Sequence, residues 1–427
     1  MPVSIRFKIT VGDPIYDIYY EAMLLSCGSN SFSHLALGHN EDVSRLMPTQ
    51  SPPPGEVVDL VSVSAHSLLL IRNDNRNTLY GVGTNTVGQL GRQCALRDEE
   101  DKQVLQTWRR LDLVGEMGME GDWEPVKIGA TWTTSFVVYR RMSSDQGSGD
   151  EVGDMVIACG SNDFNELGYT DPSSSRAAPG TTASPPRQVE LGLKPGEKVE
   201  HLACGQRHVI VIVSGERQRV IGWGAGRRGE FDLSTLGGAE NSGRKGKGKG
   251  VARPTTYPPT TLDLPLKDGE RILDISLGAS HSLVLTSNQR VFGWGSNQKG
   301  QITTTSQLND IKGISASWGG SYFTTTSGQI LSQGSNIYSQ LLHISDGRAP
   351  INIPQGWEVE RIVAGSEHLL CLLKRERELG LWVGGWNEHG NLGTGDLVDR
   401  GELTRVTVDG QIKGIWGGCA STWVWVE

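Results

Sequence analysis

The sequence lacks the paired cysteines, the long apolar stretch and the positive charge that mark several common protein classes. Its six cysteines include no Cys-x-x-Cys pair, so neither a disulfide framework nor a zinc knuckle is predicted, and reduced thiols are expected. No apolar run reaches the roughly 18 residues that cross a bilayer. The formal charge of -8 disfavours general binding to nucleic acids, because phosphate neutralisation requires a positive surface.

Helical periodicity is also missing, whereas glycine is abundant. No segment keeps apolar residues at 3.6-residue spacing over several turns, so helices are not predicted to build the core. The chain has 56 glycines without a three-residue period, which indicates many tight turns. With 427 residues, it is long enough for two or three average domains or for one large β architecture.

One glycine-rich element recurs seven times. The stretch IGWGAGRRGE contains Gly224, Gly226 and Gly229 in the G-x-G-x-x-G spacing of a dinucleotide-binding turn. No helical pattern follows it and no βαβ unit surrounds it, so a nucleotide site is not predicted. Its sister copies carry Asn at the place of Gly226, and both residue types tolerate a left-handed backbone. These copies begin at Gly28, Gly83, Gly160, Gly295, Gly334 and Gly385.

A second element alternates with the first. It reads apolar-x-x-Gly-x-x-His and precedes an apolar run, as in ACGQRHVIVI with His208. Other copies have His66, His281 and His368, while Thr133 or Thr134, Tyr322 and Ser421 take the histidine place elsewhere. Because one histidine per copy does not make a catalytic set, each is interpreted as an imidazole bonded to a turn backbone. A metal site of His201, Cys204 and His208 is the weaker alternative.

The repeats predict an all-β, seven-bladed β-propeller. HSLVLTSNQRVFGW contains two short apolar runs joined by Ser-Asn-Gln-Arg, which is typical of a β-hairpin. Seven copies at a period of roughly 60 residues indicate small sheets arranged around an axis. The last hairpin strand, residues 421–426, has no partner beside it in sequence. We therefore expect residues 21–30 to complete the last blade alongside residues 412–427, which closes the ring.

The propeller is predicted over residues 21–427, after an N-terminal extension of residues 1–20. Four insertions lengthen it, at about 92–122, 141–153, 171–188 and 232–262. The second and third have the composition of disordered segments. The fourth is basic and could contact tRNA or another acidic partner, or could be a solvated loop. Its basic residues are Arg244, Lys245, Lys247, Lys249 and Arg253.

The paired elements G-x-N-x-x-G-Q-L-G and G-x-x-H resemble the regulator of chromosome condensation (RCC) repeat, which builds seven-bladed propellers. The first copy, with Gly38, His39, Glu41 and Asp42, is similar to the fungal alpha-tubulin suppressor branch. That resemblance implies a cytoplasmic protein, with the nucleus as a second location. It also implies a heterodimer with a small CSL-type protein that carries zinc or iron. Such a heterodimer supports Elongator-dependent modification of wobble uridine in tRNA and diphthamide synthesis on translation elongation factor two. The implied link of this chain to Elongator and tRNA is indirect.

The leading hypothesis is a non-enzymatic interaction scaffold with no catalytic residue, cofactor or metal of its own, and with no membrane or specific DNA binding. Aromatic and charged turn residues are the predicted partner contacts, because aromatics supply contact area and carboxylates suit a basic partner. They are His39, Glu41, Asp42, Trp132, Arg207, Trp318, Tyr322, Glu367 and Trp386. The alternative, implied by the founding activity of the superfamily, is a guanine-nucleotide exchange factor for the small GTPase Ran.

Overall fold

The structure, a computed structural model, describes residues 22–92, 104–142, 153–169, 185–238, 253–303, 305–345 and 347–427. Within these ranges the chain forms seven antiparallel sheets, six of four strands and one of three. The helical segments described are one α-helical turn, α1 Leu113–Glu116, and two 3-10 segments, Leu233–Gly238 and Thr305–Gln307. No helix in this part of the chain is long and apolar enough to cross a membrane. The predicted all-β, seven-bladed propeller is confirmed.

Seven inner strands surround the central channel. Each contacts the next, and the last contacts the first, so the ring is closed. In chain order from blade 1 to blade 7 they are β3 Glu56–Ser62, β7 Trp123–Ala130, β11 Val199–Cys204, β15 Ile272–Leu277, β18 Ile311–Ala316, β22 Glu358–Ala364 and β26 Ile412–Gly418.

The remaining strands extend each blade outward. The second strands are β4 His66–Asn73, β8 Thr134–Arg141, β12 His208–Val213, β16 His281–Thr286, β19 Gly320–Thr325, β23 His368–Arg375 and β27 Ser421–Val426. The third strands are β5 Arg76–Thr84, β9 Met155–Gly160, β13 Arg219–Ala225, β17 Val291–Gly295, β20 Ile330–Gly334, β24 Glu378–Gly385 and, in blade 7, β1 Met23–Gly28. The outer strands are β6 Val104–Arg110, β10 Arg187–Gln188, β14 Thr256–Leu262, β21 Ala349–Ile351, β25 Arg400–Val406 and β2 Val43–Pro48.

Three of the predicted insertions overlap outer strands. The range 92–122 contains β6 and α1, the range 171–188 contains β10, and the range 232–262 contains β14. These strands have sequences such as VLQTWRR and TYPPTTL, which lack the continuous apolar run of a second strand. Four of the basic residues, Arg244 to Lys249, lie outside the described residues. Arg253 is described and forms an ion pair with Asp232, 2.7 Å from Nη2 to Oδ2.

The apolar core of the described residues is divided among the seven junctions between neighbouring blades. Alternate side chains of one strand face opposite neighbours, because successive residues of a strand point to opposite faces. On β8, for example, Val137 and Tyr139 pack toward blade 1, whereas Phe136 and Val138 pack toward blade 3. Each blade therefore depends on both neighbours for burial of its apolar side chains.

The ring closes at blade 7 as predicted. Strand β1 lies between β2 and β27, and the sheet order is β2-β1-β27-β26. Met23 pairs with Val426, and the register continues without a break to Gly28 opposite Ser421. Residues from both ends of the sequence thus share one sheet.

The repeated histidines connect blades to one another. Each Nε2 lies within hydrogen-bonding distance of a hydroxyl on the second strand of the next blade, a partner that was not predicted. The pairs are His66 with Ser135 at 2.9 Å, His208 with Ser282 at 3.5 Å, His281 with Ser321 at 3.1 Å and His368 with Thr422 at 3.2 Å. His281 and His368 also bond to the backbone of Gly320 and Ser421, which agrees with the expected bond to a turn backbone for these two. Burial lowers the pKa of His66 and His208 to about 3 and that of His281 and His368 to about 4, so the rings are neutral at pH 7.

The Gly-x-Asn loops, which follow the third strands, are fixed by the asparagine side chain. In six loops its Oδ1 accepts a hydrogen bond from the backbone N–H five residues later, as between Asn85 and Leu90 at 2.8 Å. The six asparagines and Gly226 are all described, and none of them has a positive φ. The left-handed backbone expected at this position of the loop is therefore wrong. In the remaining loop, the Tyr257 ring occupies the space beside Gly226, where an added Cβ would lie 2.2 Å from Tyr257 Cε2.

Candidate protein-binding rim

The turns between inner and second strands and the Gly-x-Asn loops lie at the same end of the propeller. This follows from the antiparallel order of each sheet. We call this end the upper rim. Trp132, Arg207, Trp318 and Glu367 lie in the turns, and His39, Glu41, Asp42 and Trp386 lie in the Gly-x-Asn loops. The structure therefore places eight of the nine predicted contact residues on one rim.

Trp132 and Trp318 meet across the mouth of the channel. They belong to blades 2 and 5, yet their ring centroids lie 5.7 Å apart in an edge-to-face arrangement with an interplanar angle of 63°. The backbone N–H of Trp318 donates to Ser366 O at 2.8 Å, and the backbone N–H of Trp132 donates to Gln206 O at 3.1 Å. Below the pair lies a cavity of about 310 Å³ bordered by all seven inner strands. The two half-buried indoles thus cover the channel and offer aromatic surface at the axis.

Arg207 adds a positive charge beside this aromatic pair. Its guanidinium carbon lies 3.9 Å from the ring centroid of Phe164 and 5.4 Å from that of Trp132. Attraction between the cation and the two aromatic faces favours this position of the long side chain. Trp132, Trp318, Arg207 and Phe164 form what we call the axial cluster.

A second group of predicted residues meets where blades 6 and 7 join. His389 Nδ1 lies 2.6 Å from Asp42 Oδ2, and the Trp386 ring lies 5.3 Å from the His389 ring. Asp42 also accepts a hydrogen bond from Asn30 N at 2.8 Å. In blade 6, Asn387 N donates to Asp399 in the same way and at the same distance, so part of the role of Asp42 is to hold its own loop.

The other predicted polar residues on the rim differ in how far local contacts occupy them. His39 Nδ1 accepts a hydrogen bond from Glu41 N at 3.2 Å, and both side chains are exposed. Glu367 accepts a hydrogen bond from Gln340 Nε2 at 2.7 Å. Burial raises the pKa of Glu367, although the bond from Gln340 partly opposes this effect. His39 and Glu41 are thus the residues of this set most open to a partner.

Tyr322 is the exception, and its expected contact role is corrected. The strand register places Gly320, not Tyr322, at the histidine position, because Gly320 pairs with Gly334 as His281 pairs with Gly295. Tyr322 is fully buried, and its hydroxyl donates to Gln340 O at 2.8 Å. An ideal Cβ at Gly320 would lie 2.9 Å from Ser317 Oγ and 3.6 Å from the Tyr322 hydroxyl, so these two side chains occupy the space beside the glycine. Tyr322 therefore packs between blades 5 and 6.

Several rim residues were not predicted from the sequence. Phe164, Tyr338 and His389 are each the fifth residue of a Gly-x-Asn loop, as is Phe32, whose side chain is exposed. An aromatic ring at the fifth position in four loops is a visible signal once the loops are aligned. The prediction did not compare the fifth positions of the loops, and so it missed them.

The described part of the rim carries no arrangement that suggests metal or thiol chemistry. The described residues contain no group of three or more His, Cys, Asp or Glu placed to hold a metal ion. Burial raises the pKa of Cys27, Cys204 and Cys371, and it raises that of Cys419 to about 12. These thiols are therefore protonated at neutral pH and are weak nucleophiles.

The fold and the rim define the chain as a seven-bladed propeller whose candidate site is a surface of loops. The regulator of chromosome condensation (RCC1) repeat matches residues 272–301, which include β15, β16 and β17. The sequence is 24% identical to the secretion-regulating guanine nucleotide exchange factor of Bos taurus, over 88% of this chain and 77% of that protein. It is 22% identical to an RCC1 repeat-containing protein of Schizosaccharomyces pombe, over 95% of this chain and 99% of that protein.

Solved structures show the same architecture. Human WBSCR16 aligns with a TM-score of 0.68 at 17% identity, over 96% of this chain and 99% of that chain. Prp20p of Saccharomyces cerevisiae aligns with a TM-score of 0.67 at 19% identity, over 95% of this chain and 92% of that chain. The chain thus carries the RCC1 repeat and has the RCC1-type propeller fold. Its assignment to the fungal alpha-tubulin suppressor branch stays a prediction.

Proposed function

We propose that the chain is a protein-binding propeller that promotes release of guanine nucleotide from a small GTPase such as Ran. The observation that carries the proposal is similarity over 88% of the chain to a protein named a guanine nucleotide exchange factor. A further relative in fold, Prp20p, has a solved structure described together with its binding properties to Gsp1p and histones. This was the alternative hypothesis from the sequence.

Exchange of this kind needs a selective surface rather than a reactive group. If the propeller binds the nucleotide-free GTPase more tightly than the nucleotide-bound form, linkage requires that it weaken nucleotide binding by the same factor. The buried, protonated cysteines and neutral histidines described above have no part in such a mechanism. A rigid rim with fixed contacts is sufficient.

The axial cluster is the part of the upper rim best suited to the contact. Trp132 and Trp318 present half-buried aromatic surface, and Arg207 places a positive charge beside them. Interface residues that dominate binding are enriched in Trp, Tyr and Arg and lie near the centre of the contact. The cluster has this composition and lies at the centre of the rim.

The proposal is tested by release of a fluorescent GDP analogue from purified Ran in the presence of the propeller. Wild-type protein is expected to accelerate release, and Arg207→Ala and Trp318→Ala are expected to lower that acceleration about tenfold or more. Arg217→Ala is the matched control, because Arg217 is exposed in the β12–β13 turn on the opposite rim. Thermal melting of each variant separates loss of contact from loss of fold. Absence of acceleration by the wild-type protein across Ran and related small GTPases contradicts the proposal.

The scaffold hypothesis makes a different prediction for the same protein. It depends on the first loop, where His39 and Glu41 are exposed and Asp42 contacts His389. The relatives cited above carry exchange-factor or RCC1 names, and none of those names mentions Elongator or diphthamide. Recovery of a small CSL-type metal protein from cytosolic extract, abolished by His39→Ala with Glu41→Ala, together with no nucleotide release, would favour the scaffold.

A further inference from the structure

An apolar groove opens on the upper rim between the loops of blades 5 and 6, and it shares no residue with the axial cluster. It is lined by Tyr338, Trp386, Glu388, Leu397, Val398 and Asp399 and has a volume of about 450 Å³. Leu397 and Val398 are 60% and 61% exposed, and Tyr338 is 38% exposed. The Tyr338 and Trp386 rings lie 5.8 Å apart. Aromatic and aliphatic surface is therefore continuous along one side of the loop.

The loop that carries Leu397 and Val398 is held rigidly in this outward position. Asp396 Oδ1 accepts a hydrogen bond from Val398 N at 3.1 Å. Arg400 donates to Val398 O at 2.7 Å and to Asp396 Oδ2 at 2.6 Å. Asn387 Nδ2 also donates to Asp396 O at 3.0 Å. Because polar bonds fix the backbone, the two apolar side chains cannot fold inward without losing those bonds.

The charged residues that line the groove are all acidic. Its lining includes two carboxylates, Glu388 and Asp399, and no cationic side chain. Arg400, on the adjoining strand β25, is already paired with Asp396. Glu41 and Asp42 of blade 7 add further acidic residues, and Asp42 contacts His389 next to the groove. Two carboxylates at an apolar groove are complementary to a segment that presents an apolar anchor together with lysine or arginine.

We propose that this groove binds a short basic segment of a partner protein, with one leucine or aromatic side chain seated against Trp386, Leu397 and Val398. Lysine or arginine flanking that anchor would pair with Glu388 and Asp399. A preformed groove avoids the cost of ordering its own side chains on binding. The site is separate from the axial cluster, so the proposal goes beyond nucleotide exchange.

The test uses fluorescein-labelled peptides with one leucine flanked by lysine and arginine, and measures their binding to the full chain by anisotropy. Matched peptides carry glutamate flanks or alanine in place of leucine. We expect saturable binding of the basic leucine peptide only, with a Kd that rises with salt concentration. Leu397→Ser and Glu388→Lys are each expected to raise the Kd about fivefold or more.

Two substitutions on the same protein serve as matched controls. Ile344→Ser removes a fully exposed isoleucine outside the groove, and Glu376→Lys reverses an exposed charge in the β23–β24 turn on the opposite rim. Both should leave the Kd unchanged. Equal binding of basic and acidic peptides, or equal effects of Leu397→Ser and Ile344→Ser, overturns the proposal, as does the absence of saturable binding. No GTPase is present in this assay, so its outcome is independent of the exchange test.

Discussion

His281 and Ser321 join blades 4 and 5 through a buried contact of 3.1 Å between the imidazole Nε2 and the hydroxyl oxygen. The same relationship links His66 to Ser135 and His368 to Thr422. The histidine of the repeat is therefore a connection between blades rather than part of a reactive site. Its recurrence reflects the geometry of the ring.

Removing this connection is expected to destabilise the ring. His281→Ala and Ser321→Ala should each lower the free energy of unfolding by about 1–3 kcal/mol, because each leaves a buried polar partner unsatisfied. The double variant should lose less than the sum, since both changes remove one interaction. Chemical denaturation provides the measurement, and Ser327→Ala in the exposed β19–β20 turn is the control. Strict additivity of the two single variants would contradict the assignment.

The buried histidines also predict a response to acid. In the unfolded chain histidine gains a proton near pH 6.5, whereas burial holds the pKa of His281 at about 4 in the folded protein. Between these values the unfolded state binds more protons, so the stability contributed by neutral His281 is lost as pH falls from about 6.5 to about 4. His281→Gln should therefore show a smaller loss of melting temperature across that window than wild type. Ser327→Ala, at an exposed position without a titratable group, should retain the wild-type pH dependence.

Glu166 predicts the opposite pH dependence. Burial raises its pKa to about 7, so the folded state favours the protonated form and loses stability as pH rises from about 4.5 to about 7. Its Oε2 accepts a hydrogen bond from Phe164 N at 2.7 Å, a bond that Gln301 and Gln340 make in sister loops. Glu166→Gln should stabilise the protein by about 1–3 kcal/mol at pH 8 and have little effect at pH 4.

The reverse substitution is the control for that prediction. Gln89 makes the corresponding bond to Val87 N in blade 1 at 3.1 Å. Gln89→Glu should destabilise the protein at pH 8 more than at pH 4, because it buries a group that is charged only at the higher pH. Denaturation curves at pH 4 and pH 8 give the change in unfolding free energy that each variant causes. An equal change at the two pH values for either variant would refute the prediction.

Much of the fold was predictable because the repeat itself sets it. The alternation of Gly-x-Asn loops with histidine strands gave the number of blades, and the unpartnered strand at residues 421–426 gave the closure with Met23–Gly28. Outer strands such as β14 could not be recognised, because an edge strand buries little and needs no apolar run. Tyr322 was placed wrongly because only the register shows that Gly320 occupies the histidine position.

The candidate site was less predictable than the fold. Antiparallel pairing places the turns and loops on one rim, but the distance between residues of different blades is not encoded by any local pattern. Trp132 and Trp318 are 186 positions apart in the sequence and meet only because blades 2 and 5 face each other across the channel. The groove could not be predicted because nothing in the sequence distinguishes Leu397 and Val398 from an apolar pair that is buried. Only the geometry of their loop shows that both side chains are exposed.

The loop that lacks asparagine provides a test of how tightly each repeat copy is adapted to its own site. Gly226→Asn would restore the residue found in the six sister loops, yet it should destabilise the protein by about 1–3 kcal/mol because the Tyr257 ring fills that space. Adding Tyr257→Ala should recover part of this loss, since Asn Oδ1 could then accept a hydrogen bond from Phe231 N. Gly401→Asn is the control in thermal melts, because Gly401 has no positive φ and an added Cβ would make only ordinary contact, 3.6 Å from Ser339 Cβ. Stabilisation by Gly226→Asn alone would contradict the packing argument.

Closure of the ring predicts that loss of the last strand affects every blade. Strand β27 pairs with both β1 and β26. Its Trp423 packs in the core between blades 7 and 1, and its Val424 packs in the core between blades 6 and 7. Deletion of residues 421–427 should therefore abolish the cooperative melting transition of the whole protein rather than loosen one blade. Deletion of residues 1–20, the predicted extension, is the control and should leave the transition in place. A soluble 1–420 chain that still melts cooperatively would show that six blades fold stably without a complete seventh blade. The interdependence of the blades that we infer from their shared cores would then be wrong.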